Sequence, residues 1–346
     1  MKLYQFGIVF ALLINLSCSS SNTNTKVFEL VLQPNQKSYQ KNDQLKVKIN
    51  NPEEHSIEAI RFELNNSPIE FNNDSITLNT EQLGTLKLSY EIDYEGKTYK
   101  DSKTIQVFND KAPKLYTYEL VATYPHDQTA YTQGLEFYKG VLYESTGLRG
   151  ESSLRKVDYT TGKVLNKIDL DPTVFGEGIT IINDTIYMLT WQSKIGYLFD
   201  LDFNKIGEFT YGQSKEGWGL THDTSNQIYK SDGTQNIWKL NSNSLIEEDK
   251  IQTVTDKSFF NKTNELEYVD GKIYANVYLK ESMMIIDANS GAIEGVINFG
   301  GLKDKVSKHP ALDVLNGVAY HPQRKTFFVT GKKWDQLFEV KIVEKK

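Results

Sequence analysis

The chain has 346 residues, enough for two or three domains and at least one sizeable core. Its 20 Tyr and 17 Phe against 4 Met and 8 Pro favour strands, because aromatic rings pack well on a pleated, half-buried surface. A formal net charge of −6 lacks the basic footprint of a nucleic-acid binder, and a single cysteine, Cys18, excludes an intrachain disulfide or a thiolate metal site.

In chain order, residues 1–17 read as a lipoprotein-type signal peptide. Lys2 supplies the positive start, and residues 6–16 form an apolar run too short to span a bilayer. Cys18 is the expected lipidation site, although Asn15 stands where such signals usually carry an aliphatic residue. Residues 18–25, rich in Ser and Asn, read as a flexible tether. The folded part is therefore expected outside the cytoplasm, in the periplasm or at the cell surface, touching a membrane only through that anchor.

From 26 to 110, apolar and polar residues alternate over 27–32, 45–49, 60–64, 85–90 and 104–108. Turn signals separate these runs: Asn50-Asn51-Pro52, Asn65-Asn66-Ser67-Pro68, Asn72-Asn73-Asp74 and Glu95-Gly96. About seven short strands at this spacing predict a small immunoglobulin-like β-sandwich. Its one histidine, His55, reads as a surface residue. The segment carries no chemical constellation and is expected to be a spacer or docking module.

After Lys111-Ala112-Pro113 a repeat takes over. Five segments open on a short strand: Gly134-Leu135-Glu136-Phe137, Gly178-Ile179-Thr180-Ile181, Gly219-Leu220-Thr221-His222, Glu265-Leu266-Glu267-Tyr268 and Gly317-Val318-Ala319-Tyr320. Each continues to a second strand ending in Leu142-Tyr143, Ile186-Tyr187, Ile228-Tyr229, Ile273-Tyr274 or Phe327-Phe328, and then to two more. A four-stranded period in the forties is a propeller blade. The expected fold is all-β, a five-bladed propeller over 111–346 preceded by the sandwich. The last unit lacks a fourth strand, and residues 115–124 are expected to supply it and close the ring.

Two columns of the repeat converge on one mouth of the axis. Gln133, Glu177, Trp218, Asn264 and Asn316 precede the opening strands. Gly147, Trp191, Gly233, Tyr278 and Lys332 follow the second strands, which run back to the same end. The predicted pocket holds a carboxylate, an amine, three amides and three aromatics, with Trp238 and Trp334 outside it. A carboxylate walled by indoles is desolvated, so its pKa should rise, with Lys332 opposing. The amides and indole N–H groups could orient a polar ligand or stabilise an oxyanion. The histidines at 55, 126, 222, 309 and 321 show no paired metal-ligand spacing.

At these residues the chain resembles the glutaminyl-peptide cyclotransferases of plant and bacterial type. The likeness rests on Tyr131-Thr132-Gln133-Gly134-Leu135-Glu136, Tyr143-Glu144-Ser145-Thr146-Gly147, Phe175-Gly176-Glu177-Gly178 and Leu189-Thr190-Trp191. It continues through Glu216-Gly217-Trp218-Gly219-Leu220, Asn264-Glu265-Leu266-Glu267, Asn276-Val277 and Thr330-Gly331-Lys332. It covers 115–346 and not the N-terminal segment. The resemblance implies a five-bladed propeller that converts N-terminal Gln of peptides and proteins to pyroglutamate, releasing ammonia without metal or other cofactor. It implies Glu177 as general acid/base, with Gln133, Asn264 and Lys332 on the substrate's polar groups. Trp191, Trp218 and Tyr278 would be walls, and Tyr278 stands where the family pattern has Trp. The protein is expected to act as a monomer. Two other readings compete: a propeller lactonase whose metal is held in part by Glu177, Asn264 and Asn316, and a non-catalytic binding propeller.

Overall fold

The computed structural model describes residues 26–345, so Cys18 and the signal and tether read at 1–25 lie outside the described residues. Within them the protein is all-β, and its one helical element is the short 3-10 turn Lys303–Lys305.

The N-terminal segment builds two sheets. One orders Glu29–Gln33, Gln44–Asn50, Ser75–Thr77 and Phe71–Asn72. The other orders Ser38–Gln40, Lys97–Phe108, Gly84–Tyr94, Ile57–Leu64 and Ser67–Ile69. The strict alternation of burial along Gln44–Asn50 and Gly84–Tyr94 explains the legible period of two, since one face of each sheet is dry. Leu30, Leu32, Leu45 and Val47 of the first sheet share a core with Phe62, Leu86, Leu88 and Val107 of the second. Glu95 and Gly96, both at positive φ, make the tight turn joining the two long strands. Val254, Phe259 and Ala292 from the later chain enter the same core, and Leu83 N donates to Ser290 O. The segment is thereby packed against the side of the fourth repeat unit.

The later chain forms four-stranded meanders. The first three are separate sheets: Thr132–Tyr138 through Lys163–Asp169, Gly176–Ile182 through Lys205–Thr210, and Leu220–His222 through Glu247–Gln252. The fourth runs from Thr263–Val269 to Ile293–Asn298. The last contains Leu315–His321, Thr326–Gly331 and Gln336–Glu344, and takes its outer strand from Lys114–Pro125, which pairs antiparallel with Gln336–Glu344. These last two meanders are joined into one eight-stranded sheet by a short parallel pairing of Lys114–Tyr116 with Gly295–Ile297. Separate sheets were expected there; the long Lys114–Pro125 strand overhangs its antiparallel partner and finds a second edge.

Each opening strand packs against the opening strand of the next unit, and Leu315–His321 packs back against Thr132–Tyr138. The approach is close because these strands carry Gly134, Gly178, Gly219 and Gly317 at equivalent positions. A Cβ on Gly178 would lie 2.7 Å from both Leu220 N and Trp218 O, against backbone that cannot swing aside. The fifth position is Glu265, whose carboxylate accepts Val318 N at 2.9 Å and Leu135 N at 3.4 Å. One side chain of the fourth opening strand thus bonds the backbone of the fifth and the first.

Candidate active site

The strand ladders break just where the first column of site residues begins. Register shifts fall between Thr132 and Gly134, Gly176 and Ile179, Thr263 and Leu266, and Leu315 and Val318. Such bulges re-aim a side chain out of the alternating pleat. Gln133, Glu177, Asn264 and Asn316 sit in these breaks. Backbone anchors hold them there: Ser145 Oγ donates to Glu177 O at 2.6 Å, and Ser231 Oγ to Asn264 O at 2.7 Å.

Gln133, Glu177, Trp191, Trp218, Asn264, Tyr278 and Lys332 all line one cavity of about 240 Å³, together with Tyr131 and Phe175. A larger open cleft of about 720 Å³ lies where the N-terminal sheets meet the rest, among Lys41, Glu81, Lys114 and Glu294, and contains none of the column residues. Asn316 lies fully buried behind the pocket, its Nδ2 donating to Gln133 Oε1 at 3.2 Å and to Thr132 O at 3.0 Å. Trp334 is fully buried in core, with Nε1 on Asp313 O at 3.0 Å, and Trp238 Nε1 donates to Asp232.

Glu177 is 4% exposed, and its Oε1 accepts Gln133 Nε2 at 3.2 Å. Burial pushes its pKa well above the ordinary carboxylate value; Lys332 pulls it down and Glu216 adds to the rise. Lys332 is buried too, which lowers its pKa, while Glu177 and Asp313 oppose that. Its ammonium lies 4.7 Å from the Tyr131 ring centre and 5.7 Å from that of Tyr278. Cation–π contact steadies the charge without occupying its N–H groups.

The aromatic wall has two parts. Phe175 meets Trp191 at 5.4 Å between ring centres, and Trp218 meets Tyr278 edge-on at 5.3 Å. Tyr131 is edge-on to Phe175 and donates its hydroxyl to Asp313 at 2.9 Å. Gly147 and Gly233 occupy the second column because rings lie over them: a Cβ there would run into Phe175 and Trp218 respectively.

The indole donors expected to orient a ligand are already engaged. The indole N–H groups do not face a ligand, because Trp191 Nε1 and Trp218 Nε1 both donate to Glu216 Oε2, each at 2.8 Å. Among the described residues, the lining's polar groups without a hydrogen-bond partner are those of Lys332, Asn264, the Tyr278 hydroxyl and one side of Glu177. Sequence reasoning also missed Tyr131, Phe175 and Glu216. They share a third column, two residues ahead of Gln133, Glu177 and Trp218, which the repeat contained.

The fold and pocket define an all-β protein with a small aromatic-walled site holding a desolvated carboxylate beside a desolvated amine. A profile described as Glutamine cyclotransferase matches residues 95–342. The chain is 36% identical over 238 residues to the glutaminyl-peptide cyclotransferase of Arabidopsis thaliana, covering 67% of this chain and 73% of that one. It also resembles the crystal structure of Myxococcus xanthus glutaminyl cyclase, with a TM-score of 0.63 and 29% identity over 68% of this chain and 100% of the other. The chain belongs to the glutamine cyclotransferase family. The match begins at 95, so it takes in Lys97–Phe108 of the N-terminal sheets as well as the whole pocket.

Proposed function

We propose that this protein is a glutaminyl-peptide cyclotransferase that converts N-terminal Gln of peptides and proteins to pyroglutamate and ammonia. The observation that carries the reading is that buried Glu177 and buried Lys332 line one small aromatic cavity. At about 240 Å³ the cavity falls below the usual range of about 300–1,000 Å³ for small-molecule pockets, a size suited to one chain terminus.

In this reading Trp191, Trp218 and Tyr278 fold the glutamine side chain back on its α-amine, since ring closure gains chiefly from a near-attack geometry. The amine nitrogen attacks the γ-carbonyl carbon. Lys332 and Asn264 donate to the oxygen as it becomes an oxyanion. Glu177 takes the proton the amine loses and gives one to the γ-nitrogen, the C–N bond breaks, and ammonia leaves the lactam. The raised pKa suits a group that must accept and return a proton near neutrality.

The cycle of contacts among the five opening strands supports a five-bladed propeller over 111–346. The two sheets sharing a core at 26–110 support an immunoglobulin-like sandwich, which we take as a spacer or docking module. We take the protein to act as a monomer. Lipidation at Cys18 and an extracytoplasmic, membrane-anchored location follow from the reading of residues 1–25.

The test is to incubate the purified protein with a Gln-initiated peptide and follow loss of ammonia by mass spectrometry, with and without chelator. Turnover should survive chelation and collapse in Glu177→Gln. Loss of activity in chelator would favour the metal-dependent lactonase-like site, and peptide binding without turnover would favour a non-catalytic propeller.

A further inference from the structure

Glu216 lies on the loop between Lys205–Thr210 and Leu220–His222. Its Oε2 accepts the indole N–H of Trp191, from the second unit, and that of Trp218, which opens the third. Its Oε1 accepts Gln192 Nε2 at 3.1 Å. Burial works to raise its pKa, but the bonds from Trp218, Gln192 and Trp191 hold it below the ordinary value, so it is ionised at neutral pH. N–H bonds to a charged acceptor are the strong, directional kind.

The backbone that carries this carboxylate is itself held in place. Glu216 O accepts Lys230 Nζ at 2.8 Å and Ser214 Oγ at 3.1 Å. Lys230 pairs at 3.1 Å with Glu247, both side chains being wholly buried, and Glu247 accepts Ser214 Oγ at 2.5 Å. Gly217 N donates to Trp191 O at 3.0 Å, tying the loop to the strand end that carries the other indole.

We propose that Glu216 is a positioning residue that locks the two tryptophan walls in one mutual orientation by taking up both indole N–H groups. A bound glutamine side chain then meets ring faces, and its γ-carbonyl is left to Lys332 and Asn264. With Glu216 truncated, two unpaired indole donors would turn toward the cavity, fill part of it and compete for the carbonyl in an unproductive pose. The inference rests on the cyclotransferase reading, in which those rings set the geometry of closure.

Two variants separate geometry from charge. Glu216→Gln keeps an acceptor oxygen at the same reach; Glu216→Ala has none. The Gln variant should stay within about threefold of the parent in kcat/KM, and the Ala variant should fall at least about tenfold, mainly in kcat, as expected when alignment is lost. In protein labelled with ¹⁵N-tryptophan, two indole N–H signals should exchange slowly in the parent and in Glu216→Gln, and lose that protection in Glu216→Ala. Parent-like kinetics in Glu216→Ala would overturn the proposal. So would equal losses in both variants, which would make the charge responsible. If the parent itself turns over no Gln-peptide, the cyclotransferase reading fails, while indole exchange still decides whether the clamp exists.

Discussion

Gln133 donates its carboxamide N–H to Glu177 Oε1 at 3.2 Å, and its own oxygen accepts from buried Asn316 Nδ2 at the same distance. Three residues from the first, second and fifth units thus form one directed chain. Asn316 fixes which way the Gln133 amide points, and that amide fixes one oxygen of the Glu177 carboxyl group.

Removing the first link should therefore disturb the last. In Asn316→Ala the Gln133 amide is free to turn and present its oxygen to Glu177. We expect kcat to fall by about tenfold to a hundredfold, the scale of a small misplacement at a reacting group. KM should change little, because Asn316 lies behind the cavity lining. Steady-state kinetics on a Gln-peptide, with a melting curve to establish folding, checks this. A rise in KM at constant kcat would show that Asn316 acts on substrate binding instead.

The raised pKa of Glu177 makes a stability prediction with a definite sign. The folded protein keeps this proton at pH values where the unfolded chain has lost it, so the group's contribution is complete below its unfolded pKa and is lost as pH rises toward the folded one. Each unit of upward shift costs about 1.4 kcal/mol at high pH. Glu177→Gln keeps an oxygen for Gln133 Nε2 and removes the ionisation. It should abolish turnover yet raise Tm relative to the parent, by more at pH 8 than at pH 5. An equal Tm difference at both pH values would mean that Glu177 is not desolvated in solution. In the parent, kcat/KM should climb with pH as the carboxylate forms.

Much of this site was readable because a repeat turns sequence position into spatial position. Glu177 and Lys332 are far apart in the chain, yet their places in two columns put them at one mouth. Three features escaped for physical reasons. The ladder breaks at Gln133, Glu177, Asn264 and Asn316 depend on how two strands pair, which neither strand shows alone. The capture of both indoles by Glu216 is a side-chain contact between units, with no period to betray it. The N-terminal sheets showed their strands through alternation, because one face is buried. Their order, with Ser38–Gln40 beside Lys97–Phe108, is a long-range pairing that alternation does not encode.

The glycines of the opening strands give a last prediction, because they link packing to the pocket. Gly219 N is held by Ser231 Oγ at 2.7 Å, and the same oxygen donates to Asn264 O. A Cβ on Gly219 would collide with that Asn264 carbonyl and press on Glu265 Cα, both of them backbone. Gly219→Ala must therefore push two opening strands apart, at a cost of about 1–3 kcal/mol typical of overpacking. The strain falls between Trp218 and Asn264, so kcat/KM should drop by more than the lost folded fraction explains, even well below Tm. Gly207→Ala is the control, since a Cβ there meets only the Leu198 side chain, at 3.2 Å and beyond, on an outer strand. It should leave kcat/KM unchanged. If Gly219→Ala lowered Tm but kept parent kinetics, the spacing of the opening strands would be a matter of stability alone, and the pocket would tolerate a looser ring.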